Sequence, residues 1–116
     1  IMVSAIGADP SSESPRIQHY LRAKGVADGA LRASGLDFVI LAPGTLLEEP
    51  GTGRIEAAQE LGHHGYLPRE DLAVCIMESM RNYNCVGKNV EIVSGGKKIK
   101  DAIGDAVGGQ AMTAIL

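Results

Sequence analysis

Tyr20 and Lys24 are the residues of this chain whose types and spacing most directly permit chemistry. Four positions apart, they share one face of a helix and can meet one partner. An ammonium beside a phenol favours the phenolate and lowers its pKa, so the tyrosine can exchange a proton near neutral pH. Lysine can also hydrogen-bond a sugar hydroxyl. The same spacing equally suits a half-buried tyrosine beside a solvated lysine, so the pair alone leaves both readings open.

The elements around the pair narrow the reading. Ile17, Tyr20, Leu21, Lys24, Ala27, Asp28 and Leu31 follow helical spacing. Ser14-Pro15 suits the start of that helix, and Gly35 suits a left-handed end. Gly25 and Gly29 weaken it by up to ~1 kcal/mol each, or permit close packing on a neighbour. The mostly apolar run at 36–42 predicts a strand covered on both faces, broken by Pro43-Gly44. Ile1 to Val3 reads as the end of another strand, with Ser4 at its carboxyl terminus. A helix feeding such strands predicts a parallel α/β sheet, where ligands sit beyond the carboxyl ends of the strands.

Farther along, Arg54-Ile55-Glu56-Ala57 reads as a short strand in an insertion over the site, and 62–68 as a loop. A helix is predicted over Arg69–Arg81, with Leu72, Ala73, Ile76, Met77 and Met80 on one stripe. Asn82 to Gly87 reads as a loop and Asn89–Ser94 as a strand. Gly95-Gly96 makes a turn before a last helix carrying Ile99, Ala102, Ile103, Ala106 and Val107. No repeat or linker divides the chain, and its 116 residues predict a single domain, 1–116.

Composition excludes several functions. One Phe, three Tyr and no Trp leave little for stacking on nucleic-acid bases. Eleven basic against fourteen acidic residues, a net charge of -3, do not suit a phosphate-backbone binder. No apolar run approaches the ~20 residues of a membrane-spanning helix. Cys75 and Cys85 read as reduced thiols of a cytoplasmic protein. His63-His64 reads as a surface loop, because adjacent residues diverge and no Cys or carboxylate cluster joins them, so no metal site is expected. Gly95-Gly96-Lys97-Lys98 lacks phosphate-loop spacing.

The ordered series Val3-Ser4-Ala5-Ile6-Gly7-Ala8-Asp9, Tyr20-Leu21-Arg22-Ala23-Lys24, Ser34–Gly44 and Arg69-Glu70-Asp71-Leu72-Ala73 resembles the short-chain dehydrogenase/reductase superfamily. Within it, the series is most similar to the atypical NAD(P)H-binding, NmrA-like and epimerase-like branch. That resemblance implies a Rossmann-like α/β fold, a parallel sheet with flanking helices, binding NAD or NADP. It implies Tyr20 as proton donor, Lys24 as the partner holding the nicotinamide ribose, and Ser4 beside the cofactor in the catalytic set. Pro43, Gly44 and Thr45 would border the nicotinamide through backbone groups. The substrate implied is a small carbonyl-type molecule.

The chain departs from that pattern in three places. No Gly-rich phosphate loop follows a strand, so the amino-terminal, phosphate-binding half of the fold is expected to be missing. Ala5 stands where a second serine is common, and Ala42 where an arginine is common. The expectation is the carboxyl-terminal half of an NAD(P)-dependent oxidoreductase, inactive alone, that forms a homo-oligomer or pairs with the missing segment. The alternative is a non-catalytic NAD(P)-sensing or interaction domain of the same fold.

Overall fold

The computed structural model describes residues 1–12 and 17–109; the expected helix start at Ser14-Pro15 lies outside them. A five-stranded sheet forms the middle layer. Its strands in chain order are β1 (Met2–Val3), β2 (Val39–Pro43), β4 (Arg54–Ala58), β6 (Lys88–Ser94) and β7 (Lys97–Lys98). A separate parallel pair joins β3 (Thr45–Leu47) to β5 (Tyr66–Pro68). The helices are α1 (Gln18–Ala33), α2 (Arg69–Arg81) and α3 (Ile99–Val107). The sheet order is β1-β2-β6-β4-β7. β1, β2 and β6 run parallel, with Val3 beside Leu41 and Leu41 beside Val90. β4 runs antiparallel to β6, and β7 antiparallel to β4. The Rossmann-like parallel sheet with flanking helices is therefore present, extended on one side by antiparallel strands.

Residues 54–57 do form a strand, but it joins the main sheet instead of crossing the site. Ile55 and Ala57 alternate inward against β6, so their burial is gained in the sheet. The loop expected at 62–68 contains β5, and a 3₁₀ turn at Tyr83–Cys85 interrupts the loop at 82–87. β2 begins later than the apolar run suggests, because Leu36 lies in the connection and is 67% exposed.

Alternation divides the sheet into two faces. Val39, Leu41, Val90, Ile92 and Ile55 point to one, where they pack with Leu72 and Cys75 of α2 and with Ile99, Ala102, Ile103 and Val107 of α3. Each fully buried aliphatic chain there is worth about 1.5–3 kcal/mol of transfer free energy. Cys75 and Cys85 are free thiols inside this core. Burial, with Asp71 nearby, pushes the Cys75 thiol up to about 12, so it stays protonated.

α2 has the bounds its sequence predicts, Arg69–Arg81, with Glu70 and Asp71 at the positive end of its dipole and Arg81 at the other. Its orientation differs from the expected stripe. Asp71, Leu72, Cys75 and Ser79 are buried, whereas Met77 and Met80 face outward. The cause is Asp71: its carboxylate accepts from the backbone N–H of Gly53 (2.9 Å) and of Thr52 (3.1 Å), and turning it outward would strand those donors.

α1 flanks the opposite face. Ile40 and Ala42 point that way by alternation, and so does Ser4, one residue past β1. Gly35, at φ +80°, follows the cap residue Ser34 and turns the chain out of α1. Gly25 is where the helix comes closest to its neighbour, because a Cβ there would stand 2.5 Å from the backbone at Asp9 and Pro10.

Candidate active site

The carboxyl ends of β1 and β2 lie side by side. Ser4 N–H donates to the Leu41 carbonyl (2.7 Å), and Ile6 N–H to that of Pro43 (3.0 Å). Past β2, Gly44 N–H donates to the Ile92 carbonyl and Thr45 N–H to that of Gly65, both at 3.0 Å. The crossing at Gly44 demands glycine, since a Cβ would lie 2.2 Å from the Gly65 carbonyl oxygen. The loop before β5 is thereby drawn over the end of β2.

An open cleft of about 260 Å³ lies at this edge. Its walls include Ser4, Tyr20, Pro43, Gly44 and Thr45, five of the six residues singled out in the sequence. Ala5, Ile6 and Leu46 supply apolar lining, and His64 and Arg69 bring further polar groups. Tyr20 is half exposed, its ring open to the cleft.

Lys24, the sixth residue, is held back from the cleft wall. Its Nζ donates to the Val3 carbonyl (3.0 Å) and lies 5.6 Å from the centroid of the Tyr20 ring. The expected pairing on one helix face is therefore present, with the ammonium over the ring in cation–π geometry.

Ser4 is buried, and its hydroxyl donates to Asp28 Oδ2 at 2.6 Å. Asp28 is buried too, and its Oδ1 has no hydrogen-bond partner among the described residues. Asp28 lies four residues beyond Lys24, so Tyr20, Lys24 and Asp28 form one stripe of α1. Two polar tethers, Lys24 to the Val3 carbonyl and Ser4 to Asp28, thus register α1 against the end of β1.

Sequence reasoning missed Asp28, His64 and Arg69 as parts of this region. Asp28 carried a usable signal, its place one turn beyond Lys24. His64 was expected on a surface loop; it is exposed, but its ring reaches the cleft, where Nε2 shares a 3.0 Å hydrogen bond with Thr45 Oγ1. It also meets the Tyr66 ring edge-on, centroids 6.1 Å apart. His63 turns the other way, its Nδ1 at the His64 carbonyl (3.0 Å) and its Nε2 at Glu56 (3.2 Å). Those contacts, the carbonyl foremost, raise its pKa. Among the described residues, no group of three or more His, Cys, Asp or Glu side chains is placed to hold a metal ion. None of the described helices is long and apolar enough to cross a membrane.

A family model described as NAD(P)H-binding matches residues 1–83. An uncharacterized sugar epimerase, YhfK, of Bacillus subtilis (strain 168) is 36% identical over 104 residues, which cover 89% of this chain and 48% of the relative. Among solved structures, a Bacillus halodurans protein described as an NAD-dependent epimerase/dehydratase superposes with a TM-score of 0.82 at 31% identity, covering 88% of this chain and 49% of that one. The oxidoreductase ylbE from Lactococcus lactis superposes with a TM-score of 0.78 at 25% identity, covering 96% and 52% respectively. The chain spans about half the length of the curated relatives it matches, 48% and 49%.

Proposed function

This chain belongs to the NAD(P)H-binding family, and on that premise we propose that it is the carboxyl-terminal half of an NAD(P)-dependent oxidoreductase or epimerase-like protein, forming the nicotinamide-facing wall. The observation that carries the reading is the single cleft joining Tyr20 to Ser4, Pro43, Gly44 and Thr45 at the carboxyl ends of two parallel strands. The residues fit a nicotinamide: an apolar lining at Ala5, Ile6 and Pro43, and polar groups at Tyr20 and Thr45. The cofactor, NAD or NADP, supplies hydride chemistry when bound.

In this reading Tyr20 holds and delivers the proton that a carbonyl oxygen needs as it becomes a hydroxyl. The Lys24 ammonium supplies positive charge beside the ring as that proton leaves. With one N–H given to the Val3 carbonyl, Lys24 keeps two donors for the ribose hydroxyls. Ser4 completes the catalytic set from the end of β1, and its bond to Asp28 holds α1 in register. Pro43, Gly44 and Thr45 border the nicotinamide. Replacing Tyr20 with Phe in the full-length protein is expected to lower turnover of carbonyl and quinone substrates by about 10²-fold or more. Unchanged turnover across such a panel removes Tyr20 from the chemistry.

A non-catalytic NAD(P)-sensing role is the second reading, favoured by Ala5, which puts a methyl group in the cleft where a hydroxyl would serve catalysis. Binding of NAD(P) by the full-length wild type without turnover of any carbonyl or quinone in the panel selects it.

Assembly is proposed on the same footing. β1 is two residues long and pairs through β2 on one side. Such an edge invites pairing with an amino-terminal segment or a second copy. Light scattering is expected to show this chain above its monomer mass of 12.1 kDa, or a complex when that segment is supplied. A stable monomer in both conditions removes the proposal. The compartment proposed is the cytoplasm, where Cys75 and Cys85 would remain reduced.

A further inference from the structure

We propose that the end of the cleft formed by Thr45, His64 and Arg69 binds an acidic group of the substrate, a carboxylate or phosphate, while Tyr20 serves the reacting carbonyl. This rests on the reading of the cleft as an oxidoreductase site and adds to it a substrate class.

Among the described residues, the cleft's lining contains one permanent charge, the Arg69 guanidinium, and no carboxylate. Arg69 is the first residue of α2 and follows buried Pro68, so its backbone is set by the β5–α2 junction. Glu48 contacts the guanidinium at Nε, 2.8 Å away. No other hydrogen bond or ion pair to Arg69 occurs among the described residues. Both Nη groups are thus left to present paired N–H donors, the fork that matches carboxylate and phosphate oxygens. The Thr45 hydroxyl and the His64 imidazole stand together in the same cleft, 3.0 Å apart. Their shared hydrogen bond leaves one further donor on the pair, the hydroxyl hydrogen or the imidazole N–H according to the tautomer. The loop carrying His64 is itself held over the site by the Gly65 carbonyl, which accepts from Thr45 N–H. These three groups come from three elements, β3, the loop between β4 and β5, and α2. An uncharged alcohol or hydrocarbon would leave the guanidinium without an added partner.

The test titrates this isotopically labelled chain by NMR with inorganic phosphate, pyruvate and nicotinamide mononucleotide. Phosphate and pyruvate are expected to shift the His64 ring, the Thr45 methyl and the Arg69 Nε–H saturably, leaving His19 and His63 in place. Arg69→Gln, at an exposed position, is expected to weaken both at least tenfold with the amide spectrum otherwise unchanged; Thr45→Val is the second variant, expected to weaken them less. Absent shifts, or equal shifts in Arg69→Gln, overturn the proposal. Mononucleotide binding tighter than phosphate and lost in Arg69→Gln assigns the anion site to the cofactor, and also overturns it. Saturable shifts together with no carbonyl or quinone turnover by the full-length wild type would leave the anion site standing and remove the oxidoreductase reading. The converse pair of results removes the anion site alone.

Discussion

The two faces of the sheet are built by different physics. The α2/α3 face is an aliphatic core in which Leu41, Val90, Ile92, Leu72 and Ile103 exclude water together. The α1 face is held by directional bonds. Within α1 the buried residues are Leu21, Gly25 and Asp28, and its registration on β1 comes from Lys24 to the Val3 carbonyl and Ser4 to Asp28. Apolar burial is strong but indifferent to small rotations, whereas a hydrogen bond loses strength steeply with angle. The first face therefore carries stability, and the second fixes the direction in which Tyr20 looks. A helix that must leave one side open to a ligand cannot be buried all round, and polar tethers hold it without closing the cleft.

That division is open to direct attack. The largest effect is expected from Ile103→Ala on the core face, about 2–5 kcal/mol of stability lost, read from the urea midpoint. The chemical shifts of Tyr20 and Thr45 should remain where they are in the protein still folded. A loss below 1 kcal/mol would show that the α2/α3 face is not the main source of stability.

Ser4→Ala comes next, at about 1.5–3 kcal/mol, because it leaves the buried Asp28 carboxylate without its hydroxyl donor. Here hydrogen exchange should rise along α1 while α2 and α3 stay protected, and the Tyr20 signal should move. Uniform loss of protection over all three helices would mean that the two faces are one cooperative unit.

The smallest and sharpest comparison lies within α1. Gly29→Ala faces open space and should stabilise by up to ~1 kcal/mol through helix propensity. Gly25→Ala should destabilise, because its Cβ would meet the Asp9–Pro10 backbone at 2.5 Å. Thermal midpoints moving in the same direction would mean that α1 does not sit tightly on the 7–10 loop.

Much of the fold was legible in the chain. The Arg69–Arg81 helix, the strand over 88–94 and the terminal helix at 99–107 announce themselves by local periodicity and end signals. Their packing did not. α2 has apolar residues on most of its circumference, so periodicity could not choose between Met77/Met80 and Cys75 as the companions of Leu72 on the inner side. The choice was made by Asp71, whose partners at Thr52 and Gly53 stand 18 to 19 positions away. The strand at 54–58 was visible, but its neighbour was not, because ladder partners such as Ala57 and Ile92 are distant in sequence. The site shows the same split. Tyr20 and Lys24 were found by spacing within one helix, whereas His64 offered no local sign that its ring would reach Thr45.

By itself, the sequence determined the helix stripe of Tyr20 and Lys24, the strands on either side of it, and the break at Pro43-Gly44. These depend on contacts within a turn or on a single residue's backbone freedom. Tertiary structure alone decided that Lys24 bonds to a strand carbonyl, that Ser4 is committed to Asp28, and that His64 and Arg69 complete the cleft wall. Such choices depend on donors and acceptors brought together from remote positions, and no local pattern of residue types encodes which of them will meet.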